Sequence, residues 1–455
     1  MNPTDTIAAV ATPPGSGGIA LIRVSGPDAV AVADRCFRSR TGAMGVLSRI
    51  QERHATVGGF FRGETWLDEV MATVFRGPRS FTGEDTVEVA CHGGVLVTRL
   101  VLEALLQNGG RAAKPGEFTL RAYLNGRLDL SQAESVAEVI HARTERALAC
   151  AQRQLQGGLT RSVATLRGSL LEVLAHVEAH IDFPDEDIAP DTAEALTRRL
   201  NGIRESIARM VRTAREGEVL RQGARVAIVG LPNVGKSSLL NRLLGLDRSI
   251  VSPIPGTTRD TVEAVASIRG LPVLFIDTAG QRETHDPIEK EGIRRGREAA
   301  VTAELVLHVV DGSAAASSVE VERELGRDLA GVPTILVANK SDVEGARVPN
   351  GAVAISCKTG RGLDQLGAAI EAALLGEADA AVSEGDVPIA SRHRISLDRS
   401  AESIGRAVDG LGSGLGLDLV ALELREALQA VGEVVGEATT DDLLDTIFSR
   451  FCLGK

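Results

Sequence analysis

Aromatic residues are scarce: 455 residues contain one Trp, one Tyr and ten Phe. The cores must therefore be built from Ala, Val, Leu and Ile. Cysteine is scarce as well. The five present (Cys36, Cys91, Cys150, Cys357 and Cys452) are odd in number and form no CxxC pair, which argues against a disulfide framework or a zinc site and for reduced thiols in a cytosolic setting. No run approaches 18 uninterrupted apolar residues, so no membrane span is expected. The opening stretch "MNPTDTIAAVATPPGSGG" lacks a charged n-region and a long apolar segment, so no signal peptide is expected and the location is read as cytoplasmic. Positive charge is also short. Lys and Arg number 50 against 61 Asp and Glu, a net charge of −11. That opposes a large sequence-independent grip on nucleic acid, which needs clustered cations, while leaving room for a local basic pocket.

What remains is an ordinary globular composition, 44% hydrophobic and 24% charged, in a chain long enough for two or three domains. Residues 1–122 alternate short apolar runs with Gly/Pro turns ("IALIRVSG", "VMATVFRG", "DTVEVACHGG") and predict an α+β domain. Cys91-His92 in "CHGG" invites a metal or catalytic reading, but no third ligand is in sight, and a tight turn is the expectation. Residues 123–218 predict long helices. Ser131 and Glu134 form a capping-box pattern ahead of Val136 and Ile140. Leu166, Leu170, Leu174, Val177 and Ile181 keep helical spacing until "DFPDEDIAP" breaks it, and a second helix is predicted through residues 193–220. Residues 219–378 switch to strand, loop, helix. The continuous apolar runs "RVAIVG", "LPVLFID", "ELVLHVV", "PTILVAN" and "AVAIS" suit a buried, doubly wound α/β sheet. Residues 379–455 are helical again, with an apolar stripe of Leu443, Leu444, Ile447, Phe448 and Phe451. Either the sheet domain is inserted into one helical domain whose halves pack together, or the flanking helices form separate bundles. Periodicity does not choose.

The sheet segment carries the chemistry. Gly230-x-x-x-x-Gly235-Lys236-Ser237 lies between a strand and a helix, the context of a phosphate-binding loop. Its glycines admit backbone N–H groups to the phosphates, Lys236 reaches the β- and γ-phosphates, and Ser237 ligates Mg²⁺. Three further blocks follow in order. In "GTTRD", Thr258 completes the Mg²⁺ shell and senses the γ-phosphate. In "DTAG" (Asp277, Thr278, Ala279, Gly280), Asp277 suits a metal-bound water. "NKSD" (Asn339, Lys340, Ser341, Asp342) selects the base. The Asp342 carboxylate accepts the N1–H and 2-amino hydrogens of guanine, a donor pair that adenine lacks, and the wrong base leaves it unpaired. Asn339 and Lys340 surround the base, and "SCK" (Ser356, Cys357, Lys358) backs it. GTP is the expected ligand.

The order and spacing of these blocks resemble the translation-factor class of GTPases. Within that class, Asn233 in the phosphate loop, "GTTRD", "ATPPGSGGIALIRVSG", "FTGEDTVEVACHGG", "KPGEFTLRAYLNGRLDLSQAE", "IDFPDED" and the terminal "FCLGK" resemble the MnmE (TrmE) family of tRNA-modification GTPases over the whole chain. The resemblance implies a homodimer that works with an FAD-containing partner resembling MnmG on the wobble uridine of tRNA, with no membrane involved. A folate one-carbon unit becomes the methylene at C5, giving an aminomethyl or carboxymethylaminomethyl group. It further implies K⁺ in the place of an arginine finger. Asn233 then supplies a neutral oxygen, and the loop Ser252-Pro253-Ile254-Pro255-Gly256-Thr257-Thr258 adds carbonyls at Ser252 and Ile254 with Thr257 nearby. Two such domains then meet across this face. Read alone, Asn233 is equally a turn residue, since Asn tolerates left-handed geometry. The nucleotide loop runs Asn233, Val234, Gly235, Lys236, Ser237, Ser238. Glu289 matches the family's catalytic glutamate, whereas Gln281, directly after "DTAG", stands where Ras-type GTPases place a water-positioning glutamine. The chain departs from the family there, and both candidates stay open.

For the first domain the resemblance implies a folate-binding module that takes formyl-tetrahydrofolate near a homodimer interface. Its residues would be Arg23, Glu84, Arg127 (where the family often has Lys) and Lys455. A carboxylate pairs with pterin donors, and cations suit the glutamyl carboxylates. Cys452, in the C-x-G-K tail, is placed beside the folate, as nucleophile or as pocket wall. The rival readings are an Era- or Der-like ribosome-assembly switch, which usually carries a basic RNA-binding appendage not evident here, and a structural GTPase whose dimerisation is its whole output.

Overall fold

The structure is a computed structural model, and it describes residues 5–182, 193–246, 264–276, 302–313, 331–376, 387–437, 439–449, 451–452 and 454–455. Two compact units result. One is Met1–Ala137 with Gln154–Arg167 and Val431–Lys455; the other is Glu138–Arg153 with Gly168–Ala430.

The first unit is built on a seven-stranded sheet in the order β3-β4-β5-β6-β2-β1-β7. Its strands are β1 (Ile7–Val10), β2 (Ile19–Ser25), β3 (Phe37–Ser39), β4 (Ala55–Arg62), β5 (Thr65–Phe75), β6 (Thr86–His92) and β7 (Arg111–Ala112). Neighbours are antiparallel except β1 and β7. Period-2 alternation along β2 sends Ala20, Ile22 and Val24 into the core and turns Arg23 to the opposite face. Helices α1 (Ala29–Cys36) and α2 (Val95–Gln107) close that core with Val32, Ala33, Val101 and Leu105. Helices α3 (Glu117–Leu124) and α4 (Leu130–His141) follow.

Two local expectations are corrected here. Cys91-His92 is the end of strand β6 rather than a turn, paired with Ala20 and Ile19. His92 is held by Asp68, whose carboxylate accepts the His92 backbone N–H at 2.8 Å and lies 2.7 Å from Nδ1. The capping box of α4 is formed by Asp129 and Gln132, not by Ser131 and Glu134. The Asp129 carboxylate accepts from the Gln132 N–H at 2.9 Å, and the Gln132 side-chain oxygen accepts from the Asp129 N–H at 3.0 Å. A carboxylate two residues earlier outcompetes the hydroxyl, and Ser131 donates to Asp129 instead. The terminal helix Asp441–Phe448 returns to this unit. Four of the five residues of its predicted stripe, Leu444, Ile447, Phe448 and Phe451, pack with Leu120, Leu130 and Ala133; Leu443 is not part of that cluster.

Helices α5 (Glu145–Leu155) and α6 (Gly158–Asp182) are each divided between the units, residues 154–167 belonging to the first; α7 (Ala193–Arg212) and α8 (Ala214–Gln222) lie in the second and precede its sheet. The single helix predicted over residues 193–220 is two, broken at Thr213. That buried hydroxyl donates to the Met210 carbonyl at 2.8 Å and accepts from Ile389 N–H at 3.3 Å. The sheet then runs through β8 (Ala224–Val229), helix α9 (Lys236–Leu246), β9 (Ala264–Ile268), β10 (Leu271–Ile276), β11 (Leu305–Asp311), β12 (Thr334–Asn339) and β13 (Val353–Ala354). Helices α10 (Leu363–Leu375), α11 (Ser391–Ser413) and α12 (Leu417–Val435), the last of these up to Ala430, complete the unit.

The strand order is β13-β12-β11-β8-β10-β9, all parallel except β9, which runs antiparallel to β10. Every residue of β10 is buried, as its unbroken apolar run predicts. Strand β8 has β10 on one side and β11 on the other, so the order reverses at its carboxyl end. That switch point is where α/β sheets open a ligand crevice.

The helices on the two sides of the sheet segment pack together, α7 against α11, which decides the question periodicity left open. Ser396, Ser400, Ser403 and Ala407 are buried on α11, small side chains that let two backbones approach. The β9–β10 hairpin tip is tied to the helical segment: Thr144 donates to the Gly270 carbonyl at 2.6 Å, and Arg146 bridges Glu216 and Glu371, each at 2.7 Å.

Candidate functional site

The phosphate loop spans the turn from β8 into α9, at the switch point. Asn233 adopts φ 62° and Gly235 φ 102°. Asn pays little for the left-handed region, so its side chain stays outward and exposed. At Gly235 no other residue fits, because a Cβ there would overlap the Asn339 side-chain nitrogen. Lys236 folds back to donate to the Gly230 and Leu231 carbonyls, both at 2.8 Å. Ser237 and Ser238 are exposed on the first turn of α9, and Val234 is buried beneath the loop.

The "NKSD" loop, expected to read the base, is fastened to this one by Asn339. Its side-chain nitrogen donates to the Val234 carbonyl at 2.9 Å, and its oxygen accepts the Cys357 N–H at 3.1 Å. One buried amide thus ties together three stretches of chain. Lys340, at φ 61°, donates to Asp311 at 2.6 Å. Burial pushes the Asp311 carboxyl up, but hydrogen bonds from Lys340 and Ser313 outweigh it and leave it below the usual carboxylate range. Asp342 is exposed, and a hydrogen bond from the Ser356 hydroxyl holds its carboxyl below the ordinary range, so it is an ionised acceptor at neutral pH. Ser341 Oγ is buried with no hydrogen-bond partner. Such an orphan suits a loop that completes its bonding around a ligand. The residues fit a guanine nucleotide.

Sequence reasoning missed Arg242. From α9 it donates to the Cys357 carbonyl at 2.7 Å and the Lys358 carbonyl at 2.9 Å, holding "SCK" from below. A lone arginine in the apolar run "SSLLNRLLG" was the available signal. Asp311, the anchor of Lys340, was missed too. Ser252, Pro253, Ile254, Pro255, Gly256, Thr257, Thr258, Asp277, Thr278, Ala279, Gly280, Gln281 and Glu289 lie outside the described residues.

Because Gly235 presses on Asn339, replacing it should damage both loops. Gly235→Ala is expected to abolish nucleotide binding in a fluorescent-GDP titration and to lower stability by about 2 kcal/mol. Wild-type affinity in that variant would contradict the close approach.

In the first unit, Arg23 donates to Glu88 at 2.8 Å, and its guanidinium stands 5.5 Å from the Phe81 ring centre and 5.7 Å from that of Phe118. Glu84 accepts from Ser25 Oγ at 2.8 Å and from Arg121 at 3.2 Å. Arg127 lies along the same loop: a Cβ on Gly83 would sit 3.2 Å from its Cγ. The tail reaches the start of α3, where the Lys455 carbonyl accepts from Phe118 N–H at 3.3 Å and the Cys452 carbonyl from Gly116 N–H at 3.5 Å. Cys452 is exposed. Arg23 thus stands near the Phe118 ring and the Lys455 main chain bonds to the Phe118 N–H, while Glu84 and Arg127 lie beside Gly83. One carboxylate with spare acceptor capacity and flanking cations is a donor and acceptor set that fits a folate. Arg121, Glu88 and Phe81 were not singled out in the sequence.

A family model described as the MnmE helical domain matches residues 130–452, and one described as the GTP-binding protein TrmE N-terminus matches residues 6–127. The tRNA modification GTPase MnmE of Geobacter sulfurreducens is 48% identical over 457 residues, covering 99% of both chains. That of Chloroflexus aurantiacus is 47% identical over 462 residues, covering 99% of this chain and 100% of its own. That of Listeria innocua is 42% identical over 465 residues, covering 99% of both. No helix among the described residues is long and apolar enough to cross a membrane. With phosphate loop, guanine loop and both flanking segments matched end to end, the chain belongs to the MnmE family of tRNA modification GTPases.

Proposed function

We propose that this chain hydrolyses GTP and, with an FAD-containing partner resembling MnmG, builds an aminomethyl or carboxymethylaminomethyl group at C5 of the wobble uridine of tRNA. The observation that supports this most is the joining of the phosphate and guanine loops through Asn339 in a chain whose relatives align over its full length. The chain's own groups divide the work. Lys236 would leave its loop carbonyls for phosphate oxygens, Asp342 would read the base, and Ser237 with Thr258 would hold Mg²⁺, with Asp277 supporting the ion through water. Asn233, with Ser252, Ile254 and Thr257, would hold K⁺. These cations supply charge neutralisation as negative charge grows between the β- and γ-phosphates. Glu289 orients the attacking water, with Gln281 as the alternative. Glu84 recognises the pterin edge of formyl-tetrahydrofolate, Arg23, Arg127 and Lys455 bind its remainder, and Cys452 lines that pocket. We further propose the domain ranges 1–122, 123–218, 219–378 and 379–455, a homodimer that brings two GTP-binding faces together, and a cytoplasmic site of action.

Nucleoside analysis of tRNA from cells lacking the chain tests this reading. Loss of C5-substituted wobble uridines is expected, with return on re-expression. Unchanged wobble uridines would overturn it and revive the assembly-switch reading.

A further inference from the structure

We infer that Arg121 is the positioning residue of the folate site, holding Glu84 in the orientation that reads the pterin. This rests on the proposal that Glu84 contacts formyl-tetrahydrofolate. One guanidinium nitrogen of Arg121, Nη1, lies 3.2 Å from both Glu84 carboxylate oxygens. Ser25 Oγ adds a bond to Oε2 at 2.8 Å and is itself 2.7 Å from the Thr82 hydroxyl. The carboxylate is therefore held by two partners, and its side chain keeps 16% exposure through which a ligand can reach it.

Arg121 is in turn immobilised. Nη1 donates to the Asp5 carbonyl at 2.8 Å, and Nη2 donates to the Asp5 carboxylate at 2.6 Å and to Glu117 at 3.3 Å. Its side chain is only 6% exposed. Arg111 shares two of these partners, Asp5 at 2.7 Å and Glu117 at 2.6 Å, and does not touch Glu84. Two guanidiniums thus face three carboxylates, one more negative charge than neutrality requires. Arg121 and Glu117 are buried while Asp5 and Arg111 are partly exposed, and an ion-pair cluster kept for stability alone gains nothing from that excess. It suits a site whose ligand brings N–H donors, as a pterin edge does, and a carboxylate locked by a buried neighbour loses little entropy on binding.

The test compares formyl-tetrahydrofolate affinity, by calorimetry on the full-length protein, in wild type, Arg121→Met, Arg121→Lys, Arg111→Met, Glu84→Gln and the double variant Arg121→Met/Glu84→Gln. Arg111→Met removes two of the same ion pairs without reaching Glu84, so it controls for general damage. Expected results are a Kd raised about tenfold or more by Arg121→Met, a smaller rise for Arg121→Lys, and less than about threefold for Arg111→Met at a comparable loss in Tm. In the Glu84→Gln background, Arg121→Met should add little, because the two act through one contact. Should Arg121→Met fail to fold, Arg121→Lys and its cycle with Glu84→Gln carry the comparison. Equal weakening by Arg111→Met and Arg121→Met, full additivity, or wild-type affinity in the Arg121 variants would overturn the inference. Absence of binding by the wild type is a different failure, which overturns the folate reading and this inference with it.

Discussion

Exchanging KCl for NaCl at equal ionic strength is expected to slow GTP turnover by roughly 10²-fold or more, given that the arginine finger whose place the cation takes is worth about 10³ to 10⁵ in rate. Matching the ionic strength keeps general screening constant, so a difference reports the ion itself. Asn233 is the testable ligand. It sits at φ 62° with its side chain exposed, where glycine is equally comfortable. Asn233→Gly therefore removes the oxygen and keeps the loop, whereas Asn233→Ala would strain both. The expected phenotype of Asn233→Gly is lost K⁺ stimulation with GDP affinity within a fewfold of wild type. Full stimulation in that variant would remove Asn233 from the cation shell. In KCl, Glu289→Ala should cost more turnover than Gln281→Ala, and the reverse order would transfer the water-orienting role to Gln281.

Asp342→Asn is expected to lower GTP affinity by about 10³-fold or more while raising affinity for xanthosine triphosphate. A site built to pair with a donor is strongly selective because the mismatch leaves buried polar groups unpaired, typically 10⁴ to 10⁵ in discrimination. Asparagine replaces one acceptor by a donor, which opposes the guanine 2-amino group and meets the xanthine C2 carbonyl. The side chain is exposed and the Asn339 staple does not involve it, so the fold should be unaffected. The pH dependence follows in sign. The Ser356 hydrogen bond depresses the Asp342 carboxyl, so guanine recognition persists below the ordinary carboxylate range and fades only as pH falls through that lowered value. Competition between fluorescent GDP and xanthosine diphosphate measures the switch. An unchanged preference would dismiss Asp342 as the base reader.

Much of this chain was legible without coordinates. Binary pattern placed the strands β8 and β10–β13 and the terminal stripe of Leu444, Ile447, Phe448 and Phe451. The errors were local competitions. At α4 a carboxylate two residues ahead of Ser131 took the cap. At Thr213 a buried hydroxyl bonded to Ile389 N–H, 176 positions away, broke a helix whose side-chain period continued unchanged. Periodicity reports which face is apolar, and it is silent about a single polar side chain that diverts the backbone.

The sequence by itself determined the phosphate loop, because its glycines, lysine and serine are fixed within eight consecutive residues and bond mainly to their own backbone. It also pointed to Asp342 as the candidate guanine reader and to the family. Only the tertiary structure decided what holds these pieces together. Asn339 reaches Val234 across 105 positions, Arg242 reaches Cys357 across 115, and Arg121 reaches Asp5 across 116. Contacts of that span are set by strand order and register, which put the ends of β8 and β12 on either side of β11, and no spacing along the chain encodes them.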